Sequence, residues 1–169
     1  MLKPIQLLIV FALWVPFAGA SLAQTTEVSF GQTGHDTSQP VEIVADSFSI
    51  SQNRGNAEFV GNVVVGQGDM RLSADLIKVV YEVVDGQQTG RIENMLARGK
   101  VTLVAGEQAA EADEAVYNVD RGNIVMSGNV LFTQGQNALS GGKMTINLAD
   151  GAARFEGRVR TIFQTGGSQ

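Results

Sequence analysis

The sequence predicts an all-β fold, a curved two-layered antiparallel jelly roll built from about four repeats of ~29 residues, and three observations carry that prediction. A Gly-led motif recurs at fixed spacing, apolar residues alternate with period two on either side of a recurring Ala-Asp pair, and a Gly-bearing turn signal precedes three of the four units. Beyond the N-terminus no segment sustains the three-and-four spacing of a helix, so helix is expected to be nearly absent.

Taken in chain order, the first element is not part of the fold. Lys3 is followed by an apolar run over residues 5–17 and then by small residues, the pattern of a secretory signal peptide. Ser21-Leu22-Ala23 places cleavage before Gln24, with Ala18-Gly19-Ala20 as the competing site. The run is shorter than the roughly 20 residues that span a bilayer, and nothing later is long enough either, so a soluble mature chain is expected. Removing 23 of the 169 residues leaves 146. Residues 24–36 read as a flexible polar arm, 37–163 as one β-domain and 164–169 as a disordered tail. There is no Cys, hence no disulfide and no lipid-modified N-terminal cysteine.

The repeats follow. Gly61-Asn62-Val63-Val64-Val65 has counterparts in Gly99-Lys100-Val101, Gly128-Asn129-Val130 and Gly157-Arg158-Val159, their glycines 38, 29 and 29 residues apart. Ala45-Asp46, Ala74-Asp75, Ala112-Asp113 and a degraded Gly141-Gly142 form a second series, spaced 29, 38 and 29. The nine-residue excess common to both series lies between Asp75 and Gly99, where the segment from Asp85 to Gly90 predicts a longer loop. Around each Gly the inward positions are apolar, as in Phe59, Val63 and Val65 or Met126, Val130 and Phe132. After each Ala-Asp the inward pairs are Phe48 and Ile50, Ile77 and Val79, Ala115 and Tyr117, Met144 and Ile146. The inward parity changes across the Ala-Asp, so a bulge or corner is predicted there, the Ala allowing close packing and the Asp accepting local hydrogen bonds. Tight turns are expected at Asn53-Arg54-Gly55-Asn56, Asp120-Arg121-Gly122-Asn123 and Ala149-Asp150-Gly151.

Charge and chemistry exclude several functions. With Lys3 removed, 11 basic residues stand against 17 acidic ones and no dense basic patch appears, so nucleic acid is not an expected partner. Glu111, Asp113 and Glu114 do not share one strand face, so neither a metal site nor an acid pair is expected. His35 is the lone His and sits in the polar arm. Gly141-Gly142-Lys143 lacks the flanking residues of a phosphate loop. No catalytic apparatus and no cofactor are predicted.

The ordered motifs Gln39-Pro40-Val41-Glu42-Ile43-Val44-Ala45-Asp46, Phe59-Val60-Gly61-Asn62-Val63, Leu72-Ser73-Ala74-Asp75, Ala112-Asp113 with Tyr117, and Ser127-Gly128-Asn129-Val130 resemble the OstA-like family over residues 37–163. Gly141-Gly142 departs from its pattern. The resemblance implies a non-enzymatic periplasmic carrier of lipopolysaccharide in an open V-shaped jelly roll, its acyl chains shielded in an apolar groove. It also implies an LptC-like inner-membrane partner at the N-terminal edge strand, residues 41–50, and an LptD-like outer-membrane translocon at the C-terminal edge, residues 158–163. Head-to-tail pairing of copies through the same edges is a further implication. The cleavable signal and short chain favour the bridging members over the membrane-anchored LptC type. Thr37, Val41, Ile43, Leu103, Tyr117 and Val119 match family positions whose side chains meet acyl chains. Val63, Val65, Leu72, Phe132, Leu139 and Ile146 share the inward parity. Two other readings stand beside this one: a closed carbohydrate-binding or scaffold domain with outward aromatics, and a glycosidase or lyase with a carboxylate pair across a cleft.

Overall fold

Period-two patterning is realised as a run of antiparallel hairpins in which each long strand pairs with its sequence neighbours. The computed structural model describes residues 26–31, 39–51 and 55–163. The strands are β1 (Thr26–Ser29), β2 (Glu42–Val44), β3 (Ser47–Ser51), β4 (Asn56–Gln67), β5 (Met70–Val84), β6 (Gln87–Ala105), β7 (Gln108–Asn118), β8 (Asn123–Gln134), β9 (Asn137–Asn147), β10 (Ala152–Glu156) and β11 (Arg160–Ile162). They form one open sheet ordered β1-β10-β9-β8-β7-β6-β5-β4-β2, with β11 also on β9 and β3 also on β4. The chain is all-β, as predicted. The signal segment, Asn53, Arg54, His35, Thr37 and the tail lie outside the described residues.

A line of corners crosses every long strand and folds the sheet into two facing arms. Between β4 and β5, Gly61 and Asn62 oppose Asp75 alone, because Val60 pairs with Leu76 and Val63 with Ala74. The same two-against-one count recurs where Gly99-Lys100 meets Asp113 and where Gly128-Asn129 meets Gly142. The corner predicted at each Ala-Asp is therefore present, but the extra residue belongs to the Gly-led motif across from it. The physical reason is the backbone: Gly61 and Asn62 both have positive φ (82° and 45°), as do Gly99 and Lys100, Gly128 and Asn129, and Gly157 and Arg158. Two successive left-handed residues turn the strand, which glycine tolerates freely and asparagine tolerates best among the others.

The aspartate locks this corner from the neighbouring strand. Asn62 donates to Asp46 at 2.8 Å and Asn129 to Asp113 at 2.9 Å, while the Asp46 N–H donates to the Gly61 carbonyl at 2.9 Å. At the last corner Gly142 supplies no carboxylate, and only the bond from its N–H to the Gly157 carbonyl, 3.0 Å, remains. A Cβ at residue 142 would meet nothing closer than 3.7 Å. Gly142→Asp is thus expected to stabilise the chain by about 0.4–1 kcal/mol, through the lost freedom of the unfolded glycine, with the restored carboxylate adding to it. Urea denaturation measures this, and a destabilised variant would show that the last corner differs in geometry from the others.

Two further expectations are corrected. The nine-residue excess forms no longer loop: it extends β5 and β6, which pair out to Val84 and Gln87 around an Asp85-Gly86 turn with φ of 52° and 78°. Asp-Gly is the preferred two-residue hairpin turn, so the extra chain becomes ladder instead of coil. Thr26–Ser29, read as part of the flexible arm, form the edge strand β1 on β10, because the following Phe30 is 3% exposed and ties that segment to the core.

The core lies between the arms. Its largest side chains with almost no exposed surface include Phe132, Phe155, Ile77, Leu103, Met126, Met144 and Ile146. The rings of Phe30, Phe132 and Phe155 stack in succession with centroids 5.9 and 6.2 Å apart, filling the end of the interior nearest β8 to β10.

Candidate functional site

At the other end the interior is not filled. An apolar trough with about 520 Å³ of space, counted to its open mouth, separates the arms beneath β4 to β8. Only about 50 Å³ of it is enclosed space that a water-sized sphere can occupy, less than a small-ligand site holds, so a long chain would extend through the open mouth. The first arm contributes Val41, Val65, Gln67, Met70, Leu72 and Leu103, and the second contributes Ile77, Met95, Ala97, Ala115, Tyr117 and Ile124. The corner line places them there: within one strand, the residues before and after the bulge belong to different arms but point into the same interior. Leu72 and Leu103 are direct cross-strand partners on one wall, as are Met95 and Tyr117 on the other.

Polar groups are few. Gln67 donates from its amide to the Gln39 carbonyl at 3.0 Å, which satisfies it at the rim. The Tyr117 hydroxyl is half-buried, and burial pushes its pKa above the ordinary value of 10, so it stays neutral and adds no charge to the wall.

Of the residues singled out from the sequence, Val41, Val65, Leu72, Leu103 and Tyr117 are brought together in this trough. Ile43 is partly buried against the core nearby. Val63, Phe132, Leu139 and Ile146 are sealed inside the packed interior, and Val119 is exposed beyond the end of β7. Met95 and Ile124 escaped the sequence reading although each lies four residues before a repeat glycine, on the same inward parity. Gln67, six residues after Gly61 and also on the inward parity, carries no apolar signal in the sequence.

Two of the carboxylates in 111–114 are occupied structurally: Asp113 holds the corner through Asn129, and Glu114 accepts from Arg98 at 2.7 Å. No group of His, Cys, Asp and Glu able to hold a metal occurs among the described residues. No helix among them is long and apolar enough to cross a membrane.

The free sheet edges bracket the trough. On the N-terminal side are β2 and β3, where Phe48 and Ile50 are 57% and 60% exposed, with Phe48 stacked on Phe59 at 4.8 Å. On the C-terminal side the first arm ends in β11, whose last residue Ile162 and the following Phe163 are exposed, and the second arm ends in β1.

Residues 42–152 match the family model described as LptA/(LptD N-terminal domain) LPS transport protein. The chain belongs to this family. An uncharacterized protein of Rhizobium meliloti (strain 1021) is 30% identical over 85% of this chain and 81% of its own length. The lipopolysaccharide export system protein LptA of Escherichia coli (strain K12) is 28% identical over 75% of this chain and 69% of its own. Among solved structures, LptH of Pseudomonas aeruginosa, described as the LptA-homologous periplasmic component of the lipopolysaccharide transport device, superposes with a TM-score of 0.66. It is 18% identical and covers 77% of this chain and 99% of its own, a likeness of fold.

Proposed function

We propose that this LPS transport family member is a periplasmic, non-enzymatic bridge that carries lipopolysaccharide from the inner toward the outer membrane. The single observation that carries this reading is the open apolar trough between the arms, whose twelve lining residues include one amide and one neutral phenol as their only polar side chains. Each methylene moved out of water is worth about 0.8 kcal/mol, so a chain of a dozen gains on the order of 10 kcal/mol of shelter there. The family relationship supports the choice of lipid.

In this reading residues 1–23 direct export and are removed, and residues 37–163 form the working domain. Exposed strand edges ordinarily invite aggregation, and here they serve assembly. The β2 and β3 edge receives an LptC-like protein, β11 meets an LptD-like translocon, and copies of the chain join head to tail through the same two edges.

Photo-crosslinking in cells tests the trough, with the probe at Leu103 and Tyr117 and, on the opposite face, at Thr102 and Asn118. Lipopolysaccharide adducts are expected at the first pair only. Folded, exported protein with adducts at none of the four would favour an ordinary scaffold domain.

A further inference from the structure

Ser29, Phe30 and Gly31 reach both ends of the bent sheet at once. The Phe30 N–H donates to the carbonyl of Gly151, in the turn before β10 at the end of the second arm. Gln108, at the hairpin end of the first arm, accepts from the Gly31 N–H and donates from its amide to the Ser29 carbonyl at 3.0 Å. These three residues therefore strap the two arms together, and Gln108 is buried with both functions of its amide spent on the strap's backbone.

The strap also delivers a side chain. Phe30 is 3% exposed and rests on Phe132. Its place is in line with the trough, because a single cross-strand row runs along the first arm from Leu72 to Leu103, Ala110, Phe132 and Leu139, each paired with the next. Leu72 and Leu103 line the open trough, and Phe132 lies under the Phe30 ring. Only the small Ala110 separates them. The apolar floor is thus continuous from the trough lining at Leu72 and Leu103 to the packed Phe132 under Phe30.

The strap's attachment is suited to release. β1 has four residues and pairs on one side only, with β10. The polar groups that it would free, the Gln108 amide and the backbone around residues 29–31, lie at hairpin ends where water can take over their hydrogen bonds.

We infer that Ser29–Gly31 is a releasable strap and that the space held by the Phe30 ring is a second subsite for a linear hydrocarbon chain, continuous with the trough. This rests on the trough's being a lipid site. Its consequence is that the vacant trough is closed toward the C-terminal edge until the strap lifts, and a chain passing along the floor must displace Phe30.

A disulfide tests the inference directly. A Cβ at Gly31 would lie 3.7 Å from that of Ala105, within the span of a disulfide, and the chain has no other cysteine. The mature chain carrying Gly31→Cys and Ala105→Cys is titrated with cis-parinaric acid, a linear polyene fatty acid that fluoresces in apolar surroundings. Compared with its own reduced form, the oxidised form is expected to bind at least tenfold more weakly or to lose about half of the bound probe. Phe30→Ala in the wild-type background is expected to raise the amount bound. Equal titrations of oxidised and reduced protein, with probe bound in both, would overturn the strap and leave the trough reading standing. No binding by the wild-type chain would overturn both.

Discussion

Replacing Gly128 with alanine is expected to lower the unfolding free energy by about 2–4 kcal/mol, read as a shift in the midpoint of urea denaturation at unchanged slope. Gly128 has a φ of 78°, where an L side chain costs roughly 1–2 kcal/mol. An added Cβ would also stand 2.4 Å from the Asp113 Oδ2 and 2.9 Å from its Cβ. No real Cβ tolerates that approach, so the aspartate must swing away. Its bond from the Asn129 amide, 2.9 Å, is then lost, at about 1 kcal/mol. Gly135 provides the control, since its φ is 57° yet nothing lies within 4 Å of an added Cβ. Gly135→Ala is expected to show only the backbone part of the loss. Equal losses at the two sites would mean that the carboxylate opposite Gly128 is incidental to the corner.

That comparison shows why the repeats were legible while their roles were partly misassigned. Spacing alone reveals that a glycine and an Ala-Asp recur together, and period two reveals which of Val63, Val65 and Leu103 face inward. It does not reveal which of two paired motifs carries the extra residue, because the bulge is a property of the pair: Asp46 and Asp113 act on glycines 15 residues downstream, across a hairpin. The same limit governs the trough. Leu103 and Phe132 have the same parity and the same repeat position, and both are about 1% exposed. One lines open space and the other is sealed under a ring, for reasons lying in their place along the stacking direction and in Phe30.

Phe30 was itself the least legible residue. The stretch Thr26 to Phe30 offers one β-branched pair position and a single aromatic between polar neighbours, too short a pattern to stand out as a strand. Its partner Gly151 is 121 residues away, and Gln108, which holds Ser29 and Gly31 on either side of it, is 79 and 77 residues from them. Only the closed geometry of the two arms brings them together. The N-terminal edge over 41–50 carries the parity change of its Ala45-Asp46 in the sequence, but only the pairing shows that the corner there divides it into two strands, β2 and β3, on different arms.

Aspartate in place of Leu72 is expected to cut the yield of lipopolysaccharide adducts at Leu103 by more than tenfold while the chain still folds. Leu72 is part of the trough wall and directly beside Leu103, but it is only partly buried, so a carboxylate there can keep water through the open mouth. The folded chain without lipid pays a modest penalty. An acyl chain laid along this wall would have to strip that water from a charge, and each 1.4 kcal/mol of the resulting cost weakens binding tenfold. Val63→Asp supplies the contrast: Val63 is fully sealed, and a carboxylate there has no access to water in the folded state, so this variant is expected to fail in folding and not in binding alone. The pair of outcomes separates lining from core by experiment, since residues of one parity then differ according to whether the trough reaches them. Undiminished adducts in a folded Leu72→Asp chain would mean that acyl chains do not run along this wall, and the path of the lipid would have to be sought at the exposed Phe48 and Ile50 edge instead.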